Sequence, residues 1–213
     1  MSAAGISHLA ELLRQGRVVP VTQLASAGAA VPLAETLAGA GVRAVEITFR
    51  TPAAAAAIAA AAGSGALAVG AGTVRTVAQA EQAIGAGAQF VVSPGLSRPV
   101  AEHCLRAGIP VIPGVATASE IMAAGDLGLD VLKFFPAAAI GGVAALRALY
   151  GPFPDVRFVP TGGISQRLLP DYLAVPSVLA IGGTWIAPPG LIEAGDWPEI
   201  GRLAREAVVT PRS

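Results

Sequence analysis

Apolar positions along this chain change their spacing again and again. Short β-branched or aromatic runs at residues 18–21, 45–49, 67–70, 90–93, 111–113, 131–135, 156–160 and 178–181 alternate with alanine- and leucine-rich stretches of helical period. The runs predict strands, and they start at roughly 20- to 27-residue intervals, near the small end for a parallel barrel with intervening helices. Eight such units, after a further helix around residues 6–15, predict a (β/α)8 TIM barrel with an additional N-terminal helix, an α/β chain of one domain over residues 1–213. A doubly wound open sheet has the same periodicity, because alternation does not reveal closure. The absence of Gly-x-Gly-x-x-Gly after the first strand counts against it.

In a parallel barrel the chemistry gathers where the strands end and the βα loops begin. Polar and glycine residues collect there: Glu46-Ile47-Thr48-Phe49-Arg50, Gly70-Ala71-Gly72-Thr73, Ser93-Pro94-Gly95, Pro113-Gly114, Thr161-Gly162-Gly163 and Gly182-Gly183-Thr184. Strand side chains alternate, so Glu46, Thr48 and Arg50 share one face and Val45, Ile47 and Phe49 the other. The apolar triplet is expected under the helices, which sends the charged one inward. Val131, Lys133 and Phe135 likewise share a face. An acid, an amine and an arginine are thereby aimed at one mouth. A mutually satisfied buried ion network is the structural alternative.

Composition sharpens the interest in one of these residues. Lys133 is the only lysine, against thirteen arginines. Arginine serves at least as well in surface and ion-pair roles, but a guanidinium stays charged and cannot attack a carbonyl, whereas an ε-amine can. Burial in an apolar strand disfavours the ammonium and so favours that use. A lysine in such a strand equally extends its stem along the core or pairs with a buried acid. The paired glycines Gly162-Gly163 and Gly182-Gly183 supply a second signal. Lacking Cβ atoms, they let backbone N–H groups approach an anion, and the loops after strands 7 and 8 are a common phosphate site in such barrels.

Other classes are disfavoured. Fourteen acids balance fourteen bases without a basic cluster, which recommends neither nucleic acid nor an anionic membrane as partner. The alanine-rich run at 53–62 is too short to span hydrocarbon. The start Met1-Ser2-Ala3-Ala4-Gly5 lacks a basic n-region and apolar core, and the single Cys104 forms no internal disulfide, so cytoplasmic residence is the default. His8, His103 and Cys104 give no metal-ligand spacing, and no metal or other cofactor is expected.

With those motifs in view, the chain resembles the class I aldolases that cleave 2-keto-3-deoxy-6-phosphogluconate, a family that also handles 4-hydroxy-2-oxoglutarate. The likeness covers nearly the whole chain. It rests on Val45-Glu46-Ile47-Thr48-Phe49-Arg50-Thr51, Gly70-Ala71-Gly72-Thr73-Val74, Ser93-Pro94-Gly95, Lys133-Phe134-Phe135-Pro136, Pro160-Thr161-Gly162-Gly163-Ile164 and Ile181-Gly182-Gly183-Thr184-Trp185, in that order. The resemblance implies Lys133 as Schiff-base lysine and Glu46 as general acid/base. It implies Arg50 and Thr73 as ligands of the pyruvyl carboxylate, and Pro94 and Phe135 as walls around the pyruvyl group. Thr161 would lie near the substrate hydroxyls, with Gly162, Gly163, Gly183 and Thr184 on the phosphate. A homotrimer is likewise implied. Two departures from the family pattern stand out. Ala138 and Ile140 replace the usual acid and amide, and Thr184 replaces a frequent serine. Rival expectations are an aldolase acting mainly on 4-hydroxy-2-oxoglutarate, a phosphosugar isomerase, and a non-catalytic phosphosugar-binding barrel.

Overall fold

The β-branched runs form strands and the alanine-rich segments form helices, alternating after the first helix except at two successive short strands, Val111–Ile112 and Gly114–Val115, and two successive helices, Pro189–Ala194 and Trp197–Val209. The computed structural model describes residues 3–211; Met1, Ser2, Arg212 and Ser213, included in the single expected domain, lie outside the described residues. The order is α1 (Ala3–Gly16), β1 (Val18–Thr22), α2 (Ala30–Gly39), β2 (Ala44–Thr48), α3 (Ala54–Ser64), β3 (Ala68–Gly72), α4 (Val77–Gly85), β4 (Phe90–Val92) and α5 (Arg98–Arg106). There follow β5 (Val111–Ile112), β6 (Gly114–Val115), α6 (Ala118–Gly125), β7 (Val131–Phe134), α7 (Gly142–Tyr150), β8 (Arg157–Phe158), α8 (Leu169–Leu173), β9 (Ile181–Gly183), α9 (Pro189–Ala194) and α10 (Trp197–Val209). Helix starts carry their own signals. Thr76 accepts from Gln79 N ahead of α4, and Thr117 and Glu120 form a reciprocal capping box ahead of α6. Among the described residues no helix is long and apolar enough to cross a membrane.

The fold is α/β with a curled parallel sheet. Strands pair in the order β5-β4-β3-β2-β1-β9, and separately as β6-β7-β8. The strand expected over 111–113 gives only β5, and β6 follows it outside those bounds, the two parted at Pro113, which has no N–H to give a ladder. The Pro113 carbonyl still accepts from Lys133 N at 2.9 Å, so the neighbouring strand passes both pieces. Between β8 and β9 pairing reduces to single bridges, Phe158 with Val178 and Thr161 with Gly182. The strand expected over 156–160 therefore shrinks to two residues, and the one expected over 178–181 begins only at Ile181. Pro160 is the physical reason at β8, since it too lacks the donor a longer ladder needs.

Alternation divides the apolar side chains between two cores. Val45, Ile47, Val69, Leu132, Phe134 and Phe158 lie in a large cluster with helix residues such as Leu33, Leu37 and Ile58. Phe134 and Phe158 meet edge to face there, with ring centroids 6.0 Å apart. The opposite strand faces contribute a smaller cluster containing Val19, Phe90, Val92, Ile112, Val131 and Val159, joined by Leu9 and Leu13 of α1. Phe90 fits in this narrower space because a Cβ on Gly70 would stand 2.2 Å from its ring. The smaller core is the floor on which the polar residues sit.

Candidate active site

β2 turns Glu46 to the smaller-core side, and the strand is held there by side-chain bonds as well as by its ladder. Thr22 Oγ1 donates to the Glu46 carbonyl at 3.2 Å, and Thr48 Oγ1 donates to the Thr22 carbonyl at 2.9 Å. β7 turns Lys133 to the same side. Lys133 Nζ lies 3.1 Å from Glu46 Oε1 and 3.3 Å from Oε2, and the two side chains are 7% and 5% exposed. Beneath them Leu13, Val19, Phe90, Ile112 and Val159, with Thr161, line a cavity of about 10 Å³. The Phe135 ring centroid is 5.4 Å from Nζ. The alternative of a buried ion pair is thus met as a geometric fact. Desolvating two such charges costs several kcal/mol per ion, so the pair is a weak stabilising device and a strong chemical one. An amine and a carboxylate in hydrogen-bond contact can exchange a proton.

The remaining expected residues fall around this pair. Arg50 lies beyond the end of β2, in a turn and exposed, so strand alternation does not carry as far as the expected triplet implied. It nevertheless reaches back: Arg50 Nε donates to Thr73 Oγ1 at 3.3 Å. Thr73 has φ 56°, a left-handed conformation that a β-branched residue adopts only at a cost of about 1–3 kcal/mol. Pro94 presses its carbonyl against β6, where a Cβ on Gly114 would sit 2.2 Å away. Thr161 is buried, and its hydroxyl donates weakly to the Val159 carbonyl at 3.4 Å. Gly162 and Gly163 both have positive φ, 100° and 73°; the first abuts Phe135 and the second Ala138. Gly183 is covered by the Trp185 ring, and Thr184 is exposed.

Two contributors were not assigned a role from the sequence. A Cβ on Gly72 would lie 2.1 Å from Glu46 Oε1, so this strand glycine makes the space in which the carboxylate stands. A glycine inside a strand pattern marks such an approach, and that signal was available in Gly70-Ala71-Gly72. Gln166 is the other. Trp185 Nε1 donates to its Oε1 at 3.2 Å, while its Nε2 donates to the Glu206 carbonyl and Thr210 Oγ1, tying the loop after β9 to α10. Nothing in the local sequence marks that contact. Cys104 is a poor rival nucleophile, since burial pushes its thiol up to about 11.

An amine and a carboxylate in buried contact inside a parallel α/β fold are groups suited to carbonyl chemistry, and the likeness to known proteins agrees. The family model "KDPG and KHG aldolase" matches residues 9–203. The 2-dehydro-3-deoxy-phosphogluconate aldolase of Treponema pallidum is 50% identical over 199 residues, 93% of this chain and 95% of that protein. The KHG/KDPG aldolase of Escherichia coli K12 is 50% identical over 92% of this chain and 93% of its own. Among solved structures, the 2-keto-3-deoxy-6-phosphogluconate aldolase of Zymomonas mobilis ZM4 with 3-phosphoglycerate superposes with a TM-score of 0.90 at 41% identity, covering 95% and 96% of the two chains. The KDPG aldolase of Legionella pneumophila, with pyruvate captured as a covalent carbinolamine, also gives 0.90, at 39% identity over 93% and 97%. The chain belongs to the KDPG and KHG aldolase family.

Proposed function

We propose that this protein is a class I aldolase that cleaves 2-keto-3-deoxy-6-phosphogluconate to pyruvate and glyceraldehyde 3-phosphate through a Schiff base on Lys133. The observation that carries the reading is the buried contact of 3.1 Å between the chain's sole lysine and Glu46. Glu46 accepts a proton from the Lys133 ammonium, and the freed amine attacks the C2 ketone to give a carbinolamine. Glu46 returns that proton to the carbinolamine hydroxyl, which leaves as water, so an iminium remains and the carboxylate is ionised again. A proton then leaves the C4 hydroxyl, taken by Glu46 directly or through water, and the C3–C4 bond breaks. Its electrons enter the iminium as an enamine, and the aldehyde fragment departs. Glu46 returns a proton to C3, and water hydrolyses the resulting pyruvyl iminium to pyruvate and free amine. The iminium itself is the electron sink, so the cleavage calls for no Lewis acid.

The other residues take supporting roles in this reading. Arg50, with Thr73, binds the pyruvyl carboxylate; Pro94 and Phe135 wall the pyruvyl group; Thr161 meets the hydroxyls. Gly162, Gly163, Gly183 and Thr184 take the phosphate. The Arg50–Thr73 bond and the positive φ of the first two glycines support these assignments. The strands are read as a closed (β/α)8 barrel in one domain, with α1 as an additional N-terminal helix; the bridges from Thr161 to Gly182 and from Phe158 to Val178 support closure. The protein is further proposed to act as a cytoplasmic homotrimer, which sedimentation velocity tests for the subunit count.

Borohydride reduction in the presence of pyruvate tests the central step. A mass increase located on Lys133 is expected, and its absence overturns the Schiff base. A second reading, preference for 4-hydroxy-2-oxoglutarate, is favoured by the apolar turn Ala137–Ile140 beside Gly163. The ratio of kcat/KM for the two substrates decides between them.

A further inference from the structure

We propose that the N-terminus of α7 carries a second, separate binding site, one for a small hydroxylated organic anion. A wide, open depression of about 520 Å³ lies there, lined by Gly141, Gly142, Val143, Arg147, Asp171 and Tyr172 among others. That volume suits a small metabolite. Helix α7 begins with no side-chain cap, so its leading amides have no acceptor within the helix and present the positive end of the dipole.

The independent sign of a ligand is Tyr172. Its side chain is packed into the core at 3% exposure, yet its hydroxyl lines the cavity, 2.9 Å from where a Cβ on Gly142 would be, and has no hydrogen-bond partner among the described residues. Burial raises the phenol's pKa, so at neutral pH it stands as an O–H donor beside the helix end. Arg147, one turn further along α7, lines the same cavity and has no ion-pair partner among the described residues. Three kinds of donor thus converge: backbone amides, a phenol and a guanidinium. Asp171 also lines the cavity and repels a second negative charge. The ligand therefore needs an anionic group at one end and hydrogen-bond donors, such as hydroxyls, at the other.

This cavity is distinct from the Lys133–Glu46 pocket, with which it shares no lining residue. The turn Ala137–Ile140 stands between it and the Gly162-Gly163 loop: Ala138 N donates to the Gly162 carbonyl at 3.0 Å, and Ala138 lines the cavity.

Amide-resolved TROSY spectra of the intact protein, titrated with inorganic phosphate and with glycerol 3-phosphate, test the site. The Gly142, Val143 and Ala144 amides are expected to shift saturably with both probes. Tyr172→Phe and Arg147→Ala are each expected to weaken that response about tenfold, leaving the Gly163 and Thr184 amides unchanged. Glycerol 3-phosphate should bind more tightly than phosphate, and Asp171→Ala should remove the difference. Tyr172→Phe removes only a hydroxyl with no hydrogen-bond partner among the described residues and Arg147 is exposed, so both variants should keep the wild-type spectrum without ligand. Silent α7 amides, or a response that neither variant weakens, overturn the site. A response that follows the Gly163 and Thr184 amides in every variant overturns its separateness.

Discussion

The two ends of the candidate active site are built in opposite ways. At the floor, Lys133 and Glu46 are functional groups brought together by two strands, buried, and held over an apolar layer. At the rim, Gly162 and Gly163 contribute backbone alone, shaped by φ values of 100° and 73° and by the nearby Phe135 and Ala138. The floor can be disarmed by changing one chemical group while leaving the shape in place. The rim glycines can be disarmed only by adding atoms. Chemistry and binding are therefore expected to separate in mutants.

The largest effect should come from Lys133→Arg, which keeps a cation opposite Glu46 but removes the amine proposed as the nucleophile. Turnover should fall to background with an unchanged far-UV spectrum; retention of most activity would reject the assignment. Glu46→Gln should lower kcat by ~10²-fold or more in steady-state assays, and an unchanged kcat would move the proton transfers elsewhere. Gly72→Ala tests whether space matters as much as identity at the floor. Its Cβ would stand 2.1 Å from Glu46 Oε1, and displacing that carboxylate by about 1 Å should cost up to ~10²-fold in kcat.

Gly163→Ala probes the rim. A left-handed φ of 73° should destabilise the variant by about 1–2 kcal/mol in urea unfolding, and KM for the phosphorylated substrate should rise. Borohydride trapping with pyruvate should be preserved, and its loss would mean that floor and rim are not independent. The smallest effect lies outside both. The Ala116 N–H and the Thr117 groups hold the Glu120 carboxyl below its ordinary 4.5. The stabilisation it supplies is present above that value and is lost as pH falls through the lowered folded value. Thermal melts of Glu120→Gln should therefore differ from wild type near neutral pH and converge with it in acid.

Much of the floor was legible in the sequence because it depends on residue identity and on period. Two-residue alternation put Glu46 and Lys133 on inward faces, and the absence of other lysines singled one out. Alternation misled at Arg50, because β2 has already ended and a turn sets the direction of that side chain. Strand boundaries near Pro113 and Pro160 also differed from expectation. A run of β-branched residues records what would fit a pleated surface, whereas the ladder ends where a donor is missing. Gln166 was invisible for another reason: its partners Trp185, Glu206 and Thr210 are distant in sequence and ordinary in type.

The amino-acid order by itself determined which side of each strand is polar, where helices start, and which amine can act as a nucleophile, since these follow from local geometry and from functional-group chemistry. Only the tertiary structure decided that Lys133 and Glu46, 87 residues apart, stand in contact, that Gly72 is the vacancy admitting the carboxylate, and that a Tyr172 hydroxyl with no hydrogen-bond partner among the described residues faces the start of α7. Distances between remote residues depend on how strands register and curl against one another, which no short window of sequence encodes.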